Sequence, residues 1–161
     1  MPVTTDIVAT YRRPRTVMRQ LLAMPESEGR ALAIVMSACL VVFIAQWPRL
    51  ARVAHLNDQE INPLLGGALM AWVFIMPLVL YALAFLSFVV LRIFSARASG
   101  YRCRMALFWA VLAVSPLFLL NGLVAGFIGA GAGLQLVGLV TLLVFMWFWL
   151  ANLREVGWGE T

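Results

Sequence analysis

Lysine is absent from this sequence, histidine occurs once, and Asp and Glu together number 7 in 161 residues. Charged side chains make up 12% of the chain and apolar ones 63%, which excludes an ordinary soluble domain, where every element keeps a polar side. The same scarcity thins out the chemistry. No Ser-His-Asp set, paired carboxylate, HExxH, P-loop or GxGxxG arrangement occurs, so no catalysis is expected. The lone His55 shares a short polar stretch with Asp58 and Glu60 but lacks the fixed geometry and supporting shell of a metal site. Cys39 lies inside an apolar run and Cys103 lies between Arg102 and Arg104, at depths that keep them from pairing; both are read as bystanders. Neither a cofactor nor a metal is expected.

What the sequence has in abundance is uncharged length. Ala31–Trp47, Ala68–Leu91, Met105–Leu120 and Leu134–Leu150 carry no charged residue at all. Such runs belong in lipid. The fold class predicted is all-α, an integral membrane protein built as an antiparallel bundle of four transmembrane helices preceded by a short N-terminal amphipathic helix. The spans are placed at about 26–47, 68–91, 105–126 and 134–152, within a membrane domain of 26–155, with an N-terminal segment of 1–25 and a tail of 156–161. No signal peptide is expected, because the first apolar run starts some thirty residues in and no small-residue cleavage site follows it.

Every basic residue other than the histidine is arginine, a usage that points to a GC-rich bacterial genome. The arginines cluster at the ends of apolar runs, where they snorkel to headgroups; a nucleic-acid-binding protein would gather them on one folded face, so no nucleic-acid partner is expected. Their distribution also orients the chain. The N-terminal segment up to Arg30, the 92–104 loop and the C-terminal tail hold ten arginines, whereas the 48–67 loop holds two and the glycine-rich loop at 129–133 none. The positive-inside rule then places both termini on the cytoplasmic side of a bacterial inner membrane.

Along the chain, Pro14 suits a first helical turn, and Val17, Met18, Leu21 and Leu22 recur at helical spacing opposite Arg12, Arg15 and Arg19. Two readings stay open: a helix lying flat in an anionic leaflet, with Arg12, Arg13, Arg15 and Arg19 at the phosphates, or a helix packed on the rest of the protein. Pro25, Glu26 and Glu28 read as the start of the first span, about 22 residues or roughly 33 Å to Trp47, with Pro48 as its stop. Asn62-Pro63 and Gly66-Gly67 break the chain before the second span, and Pro77 inside that span predicts a kink or tilt. Gly129 to Gly133 reads as a flexible turn between the last two spans.

No charged residue falls in the middle of a span, which argues against an ion-coupled transporter or pump. Asn121, about a turn and a half beyond Pro116, is read as interhelical glue for a proline-freed carbonyl or a neighbouring helix. Gly122 and Gly126 form a GxxxG whose default role is packing within the monomer, with self-association the weaker option. Pro77 and Pro116 complete the packing set.

The arginine-rich start leading into Pro14 through Met24, the Pro25-Glu26-Ser27-Glu28 opening, the proline-broken second and third spans, and Tyr101-x-x-x-Met105 ahead of Ser115-Pro116-Leu117 together resemble bacterial members of the Yip1 family. The resemblance implies a small polytopic membrane protein with a cytoplasmic N-terminus. It carries over no functional residue, and this chain has four evident spans where the family usually has five and a much shorter N-terminal domain. The expected function is therefore a non-enzymatic inner-membrane protein whose partners are membrane lipids, other membrane proteins or a second copy of itself. The alternatives are an accessory subunit of a larger membrane complex and a small transporter or channel component.

Overall fold

The computed structural model describes residues 3–94 and 98–159, and these are almost entirely helical. Two short helices, α1 (Val3–Arg12) and α2 (Pro14–Ala23), precede α3 (Glu28–Leu56). A continuous helical rod follows, formed by α4 (Ile61–Leu69), a π-helical turn (Met70–Ile75) and α5 (Met76–Phe94). Then come α6 (Gly100–Phe127) and α7 (Ala132–Trp158). Glu28–Leu56, Ile61–Phe94, Gly100–Phe127 and Ala132–Trp158 run for 29, 34, 28 and 27 residues and are each long and apolar enough to cross a membrane. At 1.5 Å per residue they reach roughly 40–50 Å, more than a ~30 Å hydrocarbon layer requires.

The extra length comes from prolines and glycines that do not stop the helices. Pro48 was the expected end of the first span, yet α3 runs through it to Leu56. The ring removes one helical hydrogen bond, and the space it needs is supplied by Gly126 of α6, where an added Cβ would stand 2.5 Å from the Pro48 Cβ. The expected 48–67 loop therefore shrinks to residues 57–60, where Asp58 takes a left-handed φ of 53°. Asn62-Pro63 and Gly66-Gly67 were expected to break the chain, and they lie instead inside α4. Pro63 falls in the first turn, whose N–H groups have no helical partner anyway.

In the second span the irregularity lies just ahead of Pro77. The Met70–Ile75 turn is π-helical, with the Met76 N–H bonded to the Ala71 carbonyl five residues back. This wider turn precedes the ring that cannot donate. The third and fourth spans overrun their expected limits of 105–126 and 134–152. Ser99 caps α6 by accepting the Arg102 N–H at 3.2 Å, and α7 continues to Trp158. The connection between them is a tight turn with Gly129 at φ 87°, a conformation L side chains rarely adopt. Arg97, in the loop between the second and third spans, lies outside the described residues.

α6 forms the centre, packed by α3, α5 and α7. Every residue from Met105 to Ser115 is buried, so this half of α6 is enclosed all round. Pairings along its length give the relative directions. Glu28 meets Arg104 at one end of the α3–α6 seam and Arg52 meets Gly126 and Phe127 at the other, so these two helices run in the same sense. On α7, Asn152 donates to the Ala106 carbonyl at 3.0 Å while Gly138 lies beside Asn121, so α7 runs back along α6. Away from these seams large apolar side chains stand in the open, among them Leu78, Phe85, Ile93 and Phe127. In water such faces would drive association; in lipid they are at home.

The N-terminal segment departs furthest from expectation. Two helices form where one was read, because the residue before a proline avoids the helical region and Arg13 sits at φ −143°, ψ 69° ahead of Pro14. The stripe of Val17, Met18 and Leu21 is buried against the bundle. An acyl-boundary role for that stripe is thereby replaced by packing on the protein. α1 is held by Thr10, fully buried, which accepts the Trp109 Nε1–H at 3.1 Å and donates to the Asp6 carbonyl at 2.7 Å. Tyr11 meets Phe148 edge to face at 5.0 Å, and burial pushes its phenol above the ordinary value.

Candidate functional site

With its apolar stripe turned inward, α2 presents its arginines outward at the end of the bundle where α7 terminates. Arg19 Nε donates to Glu155 Oε1 at 2.8 Å, which ties α2 to α7 and neutralises a carboxylate that is only 7% exposed. Beside this pair lies a cleft of about 500 Å³. Its α2 wall is Arg13, Pro14, Arg15 and Thr16, and its α7 wall is Trp147, Leu150, Ala151 and Arg154. Arg13, Arg15 and Arg154 are all exposed. None of the three has a carboxylate within ion-pair distance among the described residues.

The local sequence explains the arrangement. Pro14 starts α2 and no side chain caps it, so the positive end of the helix dipole adds to the guanidinium charge on the cleft. Trp147, half exposed, lies two turns before Arg154 on α7, which sets an indole beneath the charge as membrane-interface tryptophans are set. A neighbouring groove of about 310 Å³ is shared by Arg15, Arg154, Glu155 and Trp158, but its one carboxylate is engaged with Arg19. The result is a basic notch over an apolar wall. Chemically it can hold a phosphate or carboxylate through charge-assisted hydrogen bonds while apolar groups lie along Trp147 and Leu150.

Of the four arginines singled out from the sequence, Arg13 and Arg15 meet in this cleft and Arg19 is engaged with Glu155. Arg12 ends α1 and does not line the cleft. Sequence reasoning missed Arg154 and Trp147 as members. The available signal was the aromatic cluster of Phe145, Trp147, Phe148 and Trp149 followed little more than a turn later by Arg154 and Glu155.

The packing residues fall elsewhere. A Cβ on Gly122 would stand 1.8 Å from the Ala45 carbonyl oxygen, so this glycine and Gly126 form the flush seam against α3 and their face is covered within the monomer. Asn121, partly buried, lines a cleft of about 530 Å³ with Gln46, Arg49 and Arg52 at the end of the bundle opposite the arginine notch. There Arg52 Nη1 donates to the Gly126 and Phe127 carbonyls at 3.1 and 3.2 Å, caring for the end of α6. Pro77 is buried in α5 and Pro116 lies on an exposed part of α6. His55, Asp58 and Glu60 are exposed, and among the described residues no group of three or more metal-ligating side chains comes together.

The chain matches no family model, no curated protein and no solved structure.

Proposed function

We propose that this chain is a non-enzymatic, multi-pass protein of a bacterial inner membrane, Yip1-like in build, that works through contacts with anionic lipid headgroups and with other membrane proteins. The observation that carries the reading is the cleft in which Arg13, Arg15 and Arg154 converge beside Trp147 with no acidic partner among the described residues. Basic pockets between helix ends at the cytoplasmic face suit acidic headgroups, each arginine there contributing about 1 kcal/mol. Both termini are assigned to the cytoplasm from the arginine distribution, with ten inside and two outside. The pairing of α3 with α6 in one sense and α7 in the other supports an antiparallel four-span bundle. Within it, α1 and α2 form a cytoplasmic amphipathic layer.

The test is thermal unfolding in nanodiscs. Wild-type protein should melt higher in discs containing phosphatidylglycerol than in discs of phosphatidylcholine alone, and the gap should narrow in high salt. Arg13→Gln with Arg15→Gln and Arg154→Gln should remove most of the gap. An equal gain in the triple variant would discard the headgroup role.

A further inference from the structure

A second cavity, apart from the arginine cleft, is the larger of the two. It lies under the N-terminal helices, is about 710 Å³, and is roofed by α1 and α2 and floored by α3 and α6. Its depth is set by small residues on α3. Ala33 and Ser37, one turn apart, open onto it, while Leu32 and Leu40 on the same helix carry bulk to the outside. Ser37 turns its hydroxyl back onto the Ala33 carbonyl at 2.7 Å, so it offers the cavity little polarity. Trp109 and Leu112 of α6 close the far wall. The Trp109 indole is pinned by its bond to Thr10 of α1, which ties the roof to that wall at one edge.

The mouth has a different chemistry. Asp6 of α1, Gln20 of α2 and Arg30 of α3 all line the cavity, and no ion pair joins Asp6 to Arg30, so an acid and a guanidinium border it without neutralising one another. Arg30 spends one Nη1 donor on the Pro25 carbonyl at 3.0 Å and keeps the rest of its fork. From Arg30 to Ser37 the helix descends about 10 Å, from headgroup level into the hydrocarbon. An apolar slot of this size at that depth suits a chain, and separated opposite charges at its mouth suit a zwitterion.

We propose that this cavity holds an acyl chain of a zwitterionic phospholipid bearing a primary amine, with its phosphate at Arg30 and its ammonium at Asp6. The site is separate from the arginine cleft, which draws acidic lipid, and the two fail independently. Native mass spectrometry of the full chain released from bilayers of equal phosphatidylethanolamine and phosphatidylglycerol tests it. Wild-type protein should retain one phosphatidylethanolamine at least fivefold over the background set by phosphatidylcholine. Ala33→Phe, which fills the slot, should cut that retention about tenfold. Asp6→Asn, which leaves the slot intact, should shift selectivity toward phosphatidylglycerol. Arg13→Gln with Arg154→Gln should lower phosphatidylglycerol adducts and leave phosphatidylethanolamine unchanged. Phosphatidylethanolamine retention that is unaltered by Ala33→Phe, or that stays at the background level in the wild type, overturns the assignment. If Ala33→Phe does not elute as a folded monomer, the selectivity of Asp6→Asn decides: no shift overturns the proposal.

Discussion

Gly122 and Glu155 are two residues at which the bundle tolerates little change, for opposite reasons. At Gly122 there is no room: an added Cβ would meet the Ala45 carbonyl oxygen at 1.8 Å and its carbon at 2.7 Å, and backbone cannot swing aside as a side chain can. Gly122→Ala should therefore separate α3 from α6 and cost about 3 kcal/mol. Gly133→Ala is the control, since nothing lies within 4 Å of its position. It should be neutral or stabilising by up to about 1 kcal/mol. Equilibrium unfolding in detergent distinguishes them, and equal losses would mean the seam is looser than its geometry. At Glu155 the constraint is charge. Its carboxylate is nearly buried and is paired with Arg19 at 2.8 Å, although Arg19 itself is 59% exposed and its share is screened by water. Arg19→Gln should cost about 1–2 kcal/mol, chiefly through the acid left behind. Arg19→Gln with Glu155→Gln should recover most of the loss in a double-mutant cycle; simple additivity would show that the pair is not coupled.

At the scale of elements, the four spans were legible because uncharged runs of that length have no other explanation, but their ends were not. Pro48, Pro63 and the Gly66-Gly67 pair are punctuation in a soluble chain. Here α3 passes through Pro48 because Gly126 stands opposite it, a tertiary fact absent from local sequence. α1 was illegible for the same reason: Val3–Arg12 has a polar start, and what holds it is one buried threonine bonded to Trp109, ninety-nine residues away. The arginine cleft was half visible. Arg13 and Arg15 stood out as a charge cluster, whereas Arg154 needed the fold to bring it across. Since Thr10 anchors α1, Thr10→Val should leave the indole N–H without its acceptor and loosen the N-terminal layer by about 1–3 kcal/mol. Limited trypsin digestion reads this out directly. Cleavage after Arg15 and Arg19 should become several-fold faster while the four long helices stay intact; an unchanged rate would mean that Met18 and Leu21 hold the layer without α1.

At the scale of the whole molecule, the two ends of the bundle are unlike. Around Met105–Ser115, α6 is enclosed, with α1 and α2 adding to the three long helices, whereas beyond Pro116 parts of it are bare. The enclosed end also carries the N-terminal layer, the start of α6 and the close of α7, which together hold the majority of the arginines. Packing asymmetry and charge asymmetry thus coincide. That coincidence makes the assigned orientation testable at two exposed points, Asp58 in the short connection before α4 and Trp158 at the end of α7. In intact cells a membrane-impermeant maleimide should label Asp58→Cys and should reach Trp158→Cys only after lysis, with buried Cys39 and Cys103 giving the background. Labelling of both in intact cells would require an even number of crossings between them. Labelling of Trp158→Cys alone would invert the molecule, and would put the arginine-rich end on the face that the positive-inside rule disfavours.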